Sequence, residues 1–218
     1  MASTKGFGVS RSRWEHILST RPLVAILRGL RPEEAAQIGE ALVAAGILCA
    51  EVPLNSPNAP ESIAILKRAH GQALMVGAGT VLSVSEVAIV AACGAELVVS
   101  PNTNPAVIAA TKAAGLLSVP GFATPSEAFA GIDAGADALK AFPTDLVSPA
   151  ALRALKEVLP ANIPVIPVGG VTIEKIAEYK KAGAAGFGIG SAIYRAGSDA
   201  ASVLKKAKGF VEAFHGLG

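Results

Sequence analysis

Residues 23–53 read LVAILRGLRPEEAAQIGEALVAAGILCAEVP: an apolar run, a polar break, a helix-length segment closed by Gly46, and a second apolar run. Pro32 with Glu33 and Glu34 directly after it is how a helix starts, because proline needs no hydrogen-bond acceptor there and acids suit the positive end of the helix dipole. A glycine just past the last periodic residue is how one stops. The stretch is therefore one strand–helix unit leading into the next strand. Working outward, similar strand-like runs begin near Leu23, Cys49, Leu74, Glu96, Leu116, Ala138, Ile163 and Ala185, spaced 20 to 26 residues apart. The helical segments between them carry matching signals, as in Pro125–Ala134 closed by Gly135. Such regularity is a repeat architecture.

The runs LVAIL, ALMVGAG, AELVVS and NIPVIPV are nearly continuous in apolar character, which is how strands buried on both faces read, so the sheet is expected to be parallel. Eight parallel units in about 200 residues predict an α/β fold of the (β/α)8 TIM-barrel type. Residues 1–20, with Trp14 and Ile17 spaced to face inward, are expected to add an N-terminal helix capping the bottom of the barrel. With no linker in the sequence, residues 1–218 read as a single domain.

Composition limits the function. Of 218 residues 51% are hydrophobic and 17% charged, enough to bury a large core and too apolar for a disordered chain. Nineteen Lys and Arg against seventeen Asp and Glu leave a net charge of +2, without the basic footprint that nucleic-acid binding needs. Charged residues, Pro or Gly interrupt every apolar run before the roughly 18–20 residues that span a bilayer, so no membrane partner is expected. The first twenty residues lack the apolar stretch of a secretory signal, and a cytoplasmic location is the expectation. Cys49 and Cys93, each in an Ala-rich apolar context, read as buried reduced thiols.

In such a barrel the chemistry lies where strands end. Those positions are Arg28-Gly29, Glu51 to Asn55-Ser56-Pro57, Gly79-Thr80, Ser100-Pro101-Asn102, Pro120-Gly121-Phe122, Lys140 to Phe142-Pro143, Gly169-Gly170-Val171 and Gly188 to Ser191. Lys140 closes the apolar run ADALKAFP, where lost hydration lowers an amine's pKa and makes it a nucleophile; a lysine with a buried stem or in an ion pair is the other reading. Glu51, inside CAEVPLNSP, needs a cationic partner or a proton-transfer role. Arg28 suits bidentate contact with a carboxylate or phosphate, or a salt bridge to Glu51. Thr80 follows GAG, whose glycines permit a ligand's close approach or simply end the strand. PVGGV and GFGIGSAIY resemble strand ends whose N–H groups hold phosphate. The Gly186-x-Gly188-x-Gly190 spacing lacks the rest of a dinucleotide fingerprint, so no nicotinamide cofactor is expected. His16, His70 and His215 fall in helical or terminal segments and none ends a strand, so no metal is expected either.

The motifs PLVAILRGL, AEVPLNSP, VGAGTVL, VVSPN, DALKAFP, PVGGV and GFGIGSAIYRAG, in this order from about Arg21 to Phe214, resemble those of the 2-keto-3-deoxy-6-phosphogluconate (KDPG) and 2-keto-3-deoxy-6-phosphogalactonate (KDPGal) aldolases. The resemblance implies a metal-independent, cofactor-free Schiff-base lyase acting on a phosphorylated 2-keto-3-deoxy sugar acid, and a homotrimer. It implies that Lys140 is the imine-forming lysine and Glu51 the proton donor and acceptor. Thr80 and the backbone around Pro101 would hold the pyruvyl carboxylate and Arg28 the substrate, with Phe142 beside it, while Gly169, Gly170, Gly190 and Ser191 would form the phosphate subsite. Asn55 and Val168 stand where the gluconate branch has arginine and threonine, which implies the galactonate epimer. The gluconate epimer, a non-covalent sugar-phosphate isomerase or epimerase, and a barrel that binds such ligands without chemistry are the alternatives.

Overall fold

In a computed structural model of the chain, which describes residues 4–216, the side chains of 4–9 excepted, the signals at Pro32 and Gly46 are obeyed. Helix α1 (Thr4–Thr20) precedes strand β1 (Leu23–Ile26), α2 (Pro32–Ala45) follows it, and β2 (Cys49–Pro53) comes next. Gly46 ends α2 in the left-handed region at φ 87°, its N–H donating to the carbonyls of Leu42 and Val43. The alternation continues through α3 (Ala59–His70), β3 (Met75–Gly79), α4 (Val84–Ala92), β4 (Leu97–Val99), α5 (Pro105–Ala113) and β5 (Leu117–Val119). Then come β6 (Gly121–Phe122), α6 (Pro125–Asp133), β7 (Leu139–Ala141), α7 (Pro149–Lys156), β8 (Val165–Pro167), α8 (Ile173–Lys181), β9 (Phe187–Ile189) and α9 (Ala200–His215). Reciprocal capping at Ser83 with Glu86 and at Thr124 with Glu127 fixes the starts of α4 and α6, each cap contributing about 1 kcal/mol.

Among the described residues the strands number nine, not the eight uninterrupted ones expected, in a six-stranded parallel sheet ordered β5-β4-β3-β2-β1-β9 and a three-stranded one ordered β6-β7-β8. Pro120 is the cause: it has no N–H to give and splits the fifth run into β5 and β6, although its carbonyl still accepts from Lys140 N–H at 2.8 Å. Between β8 and β9 the contact narrows to an isolated parallel bridge, Val168 to Gly188, and a bond from Ala185 N–H to Val165 O at 2.9 Å. The fold is thus a parallel sheet, curled and covered by helices, in two hydrogen-bonded sections.

Period-two alternation sorts the strand residues. Ala25 and Leu27, Ala50 and Val52, and Leu139 and Ala141 pack outward against the helices in one cluster with Ile38, Leu42 and Ile63. The intervening residues Val24, Ile26, Cys49, Met75, Leu97, Val99, Ile166 and Val168 form a second cluster, closed at one end by Trp14 and Ile17 of α1. Arg13 of the same helix ties it down, donating to Glu96 Oε1 at 2.7 Å and Gly71 O at 3.1 Å, while Lys67 meets Glu96 Oε2 at 2.8 Å. Residues 1–3 of the expected N-terminal cap lie outside the described residues. Cys49 is buried, Cys93 half-buried, and both are free thiols. Among the described residues no helix is long and apolar enough to cross a membrane.

Candidate active site

The same alternation that fills the inner cluster points Glu51 and Lys140 into it. Glu51 lies between Ala50 and Val52, both directed outward, and is 2% exposed; Lys140 lies between Leu139 and Ala141 and is 5% exposed. Both line one internal cavity of about 20 Å³, together with Trp14, Ile26, Val99 and Val168. That volume has room for about one water. Among the described ion pairs none joins the two. Lys140 Nζ instead lies 4.5 Å from the centroid of the Phe142 ring.

Burial governs both titrations. It pushes the Glu51 carboxyl up to about 7 against the opposing pull of Lys140 and Arg28. It also holds the Lys140 ammonium below its usual range, with Glu51 opposing and Arg28 assisting. The result is a lysine eased toward the free amine and a carboxyl poised near neutrality, a matched pair for proton transfer.

The Glu51 shift also sets a stability prediction. Because the folded-state pKa lies above the unfolded one, the native state holds its proton more tightly. The contribution is fully present below about 4.5 and is lost as pH rises through about 7. Glu51→Gln removes that loss. Its melting temperature is expected to exceed that of the unsubstituted protein at pH 8, by a difference worth a few kcal/mol, and to match it near pH 4.5. Thermal melts at the two pH values check this; equal melting temperatures at pH 8 would mean that the burial of Glu51 costs nothing.

Of the remaining predicted residues, Val168 lines the cavity with this pair. Gly79 pairs with Pro53 and carries no side chain: a Cβ there would fall 2.6 Å from Glu51 Oε1 and closer still to Cδ and Oε2. The glycine therefore makes room for the carboxyl, not only for a ligand. Thr80, next in line, adopts φ 56°, a left-handed conformation that a β-branched residue pays about 1–3 kcal/mol to hold. Pro101 abuts Gly121, where a Cβ would meet Ser100 O at 2.9 Å and the Pro101 carbonyl nearer still, and Gly121 is the ladder partner of Lys140. Thr80 thus follows the glycine that faces the Glu51 carboxyl, and Pro101 packs on the ladder partner of Lys140.

Val168 packs against Gly188, where a Cβ would fall 2.7 Å from Val168 Cγ2. Gly169 and Gly170 follow at φ 98° and 64°, conformations that suit glycine, with the Phe142 ring 3.4 Å from a Gly169 Cβ. Gly190 and Ser191 open a single turn in which Ile193 and Tyr194 N–H both donate to Gly190 O, at 2.9 and 3.0 Å. Helix α9 begins only at Ala200. Sequence reasoning missed Thr144, whose Oγ1 donates to Gly169 O, and Tyr179, which donates to Val147 O at 3.0 Å and braces the same loop. A hydroxyl residue directly after Phe142-Pro143 is the sequence signal that marks Thr144. Arg28 does not meet Glu51 in a salt bridge; its Nη1 donates to Asn55 Oδ1 at 2.7 Å.

An amine and a carboxyl buried in one cavity inside a curled parallel sheet are the equipment of a lyase of the imine-forming kind. The chain belongs to the KDPG and KHG aldolase family, whose model matches residues 14–206. It is 44% identical over 193 residues to the 2-dehydro-3-deoxy-6-phosphogalactonate aldolase of Escherichia coli (strain K12), covering 88% of this chain and 94% of that protein. A solved structure described as native KDPGal superposes with a TM-score of 0.88 at 43% identity, over 90% of this chain and 95% of that one. KDPG aldolase from Legionella pneumophila, solved with pyruvate captured as a covalent carbinolamine, is similar at 25% identity and TM-score 0.75, over 93% of this chain and 96% of that one.

Proposed function

We propose that the protein cleaves 2-dehydro-3-deoxy-6-phospho-D-galactonate to pyruvate and D-glyceraldehyde 3-phosphate through an imine on Lys140. The observation that carries the reading is the shared cavity of Lys140 and Glu51, with burial moving each group toward the protonation state the reaction needs. Unprotonated Lys140 Nζ adds to the substrate ketone at carbon 2, and Glu51 delivers the proton that lets the carbinolamine lose water as the iminium forms. Glu51, through a water, then takes the proton of the carbon-4 hydroxyl. The bond between carbons 3 and 4 breaks, its electron pair passes to the iminium as an enamine, and the aldehyde leaves. Protonation at carbon 3 and hydrolysis return pyruvate and the free amine.

In this reading Thr80 and the Pro101 backbone hold the pyruvyl carboxylate, Phe142 walls the lysine, and Arg28 stands at the mouth. Gly169, Gly170, Gly190 and Ser191 receive the phosphate. Lys175, whose Nζ lies 4.0 Å from the place of a Gly170 Cβ, adds a cation there. The two sheet sections close as a (β/α)8 TIM barrel in one domain, a reading supported by the Val168–Gly188 bridge and the bond from Ala185 N–H to Val165 O. A homotrimer working in the cytoplasm completes the proposal, and the exposed apolar side chains Leu82, Val84 and Ile89 support a subunit contact.

Epimer choice rests on Val168, an apolar side chain buried against Gly188, which offers the carbon-4 hydroxyl no hydrogen bond. Discrimination of this kind is worth about 1–3 kcal/mol. The kcat/KM for the galactonate epimer is therefore expected to exceed that for the gluconate epimer by about tenfold or more, measured by coupled pyruvate release. The reverse ranking would reassign the substrate. Borohydride reduction in the presence of pyruvate, followed by peptide mass spectrometry, tests the chemistry: an adduct on the Lys140 peptide supports it, and its absence in folded protein would overturn it.

A further inference from the structure

Arg28 stands in the turn that follows β1. Gly29 follows at φ 83°, and a Cβ there would fall 2.9 Å from Ala196 Cβ, so the turn is pressed against the loop after β9. Its backbone is stitched to the loop after β2 by Gly29 N–H donating to the buried Ser56 Oγ at 2.9 Å. One residue earlier in each loop, Arg28 Nη1 donates to Asn55 Oδ1 at 2.7 Å. Two parallel hydrogen bonds thus join residues 28–29 to residues 55–56.

The partner's chemistry is the informative part. A guanidinium only donates, so the side-chain oxygen of Asn55 must face it. An amide oxygen orients the fork without cancelling its charge, whereas a carboxylate of the same size would bind it more tightly and neutralise it. No other described hydrogen bond or ion pair engages the Arg28 guanidinium. The Arg28 and Asn55 side chains are both exposed, and the Arg28 charge is felt at Glu51 and at Lys140.

We propose that Asn55 is a positioning residue that fixes the Arg28 guanidinium at the mouth while keeping its full charge available to an oxyanion of the substrate. The inference rests on the proposed aldolase function, and the amide is the feature it explains: a polar neutral side chain where either a bond or a charge alone would be simpler.

Asn55→Asp and Asn55→Ala separate the two roles. The aspartate keeps the shape and the bond but discharges the cation. Its kcat/KM for cleavage is expected to fall about tenfold, mainly through KM, with a flatter dependence on salt. The alanine frees the guanidinium and keeps its charge; a loss of about threefold is expected with the salt dependence intact. In the condensation direction, a raised KM for pyruvate in Asn55→Asp assigns Arg28 to the carboxylate, and a raised KM for glyceraldehyde 3-phosphate assigns it to the phosphate. Identical losses and identical salt slopes in the two variants, or no loss in either, would overturn the inference while normal imine trapping in the unsubstituted protein leaves the aldolase reading standing. If the unsubstituted protein traps no pyruvate, both fall together. Should Asn55→Asp fail to fold, unchanged KM in Asn55→Ala is enough to overturn the positioning role.

Discussion

Lys140→Arg is expected to lose aldol cleavage by at least about 10⁴-fold, as completely as Lys140→Ala, and neither variant is expected to yield a pyruvate adduct under borohydride. Arginine is the sharper test, because it keeps a cation on β7 but cannot surrender its proton and act as a nucleophile. If Lys140 served only as an electrostatic clamp for a non-covalent isomerase, arginine would restore much of what alanine removes. The structure favours the nucleophile. Burial is the largest influence on the Lys140 pKa and lowers it, the amine lies over the face of Phe142, and no described ion pair fixes it as an ammonium. An adduct retained in Lys140→Ala, or cleavage rescued by Lys140→Arg, would move the imine to another amine or remove it from the mechanism.

Much of this site was legible in the sequence because it breaks the pattern that encodes the fold. Glu51 and Lys140 interrupt runs that are otherwise apolar, and a charge inside a doubly buried strand stands out against its immediate neighbours in the chain. Pro32, Gly46, Pro125 and Gly135 punctuate the helices by local backbone chemistry, which needs no knowledge of distant residues. What could not be read depends on register. Pro120 is visible in the sequence, but whether its missing N–H breaks a ladder depends on the strand it faces. The match of Gly79 to the Glu51 carboxyl joins residues 28 positions apart, and the Arg28–Asn55 bond joins residues 27 apart. Both follow from the pairing of β1 with β2 and of β2 with β3. A salt bridge from Arg28 to Glu51 was the simplest expectation because opposite charges attract; the loops bring an amide to the arginine instead.

Gly79 and Glu51 should therefore fail as one unit. Glu51→Gln keeps the size of the side chain and removes its capacity to move a proton, so turnover is expected to fall by about 10²–10⁴ while slow imine trapping on Lys140 survives. Gly79→Ala leaves the carboxyl chemically intact but sets a methyl group where it now lies, and the Glu51 side chain must move or β3 must shift. A displacement of about 1 Å at a catalytic group is enough to cost on the order of 10² in rate, so the glycine variant should lose turnover nearly as the glutamine variant does. The double variant decides between this account and general damage to the strand. If Gly79 acts by seating the carboxyl, adding Gly79→Ala to Glu51→Gln costs little more turnover than Glu51→Gln alone, because the function the glycine protects is already gone. Single-turnover rates across the four proteins measure that coupling. Losses that simply multiply would show that the methyl group harms the site by a route independent of Glu51, and would leave the seating of the carboxyl to other residues of the cavity.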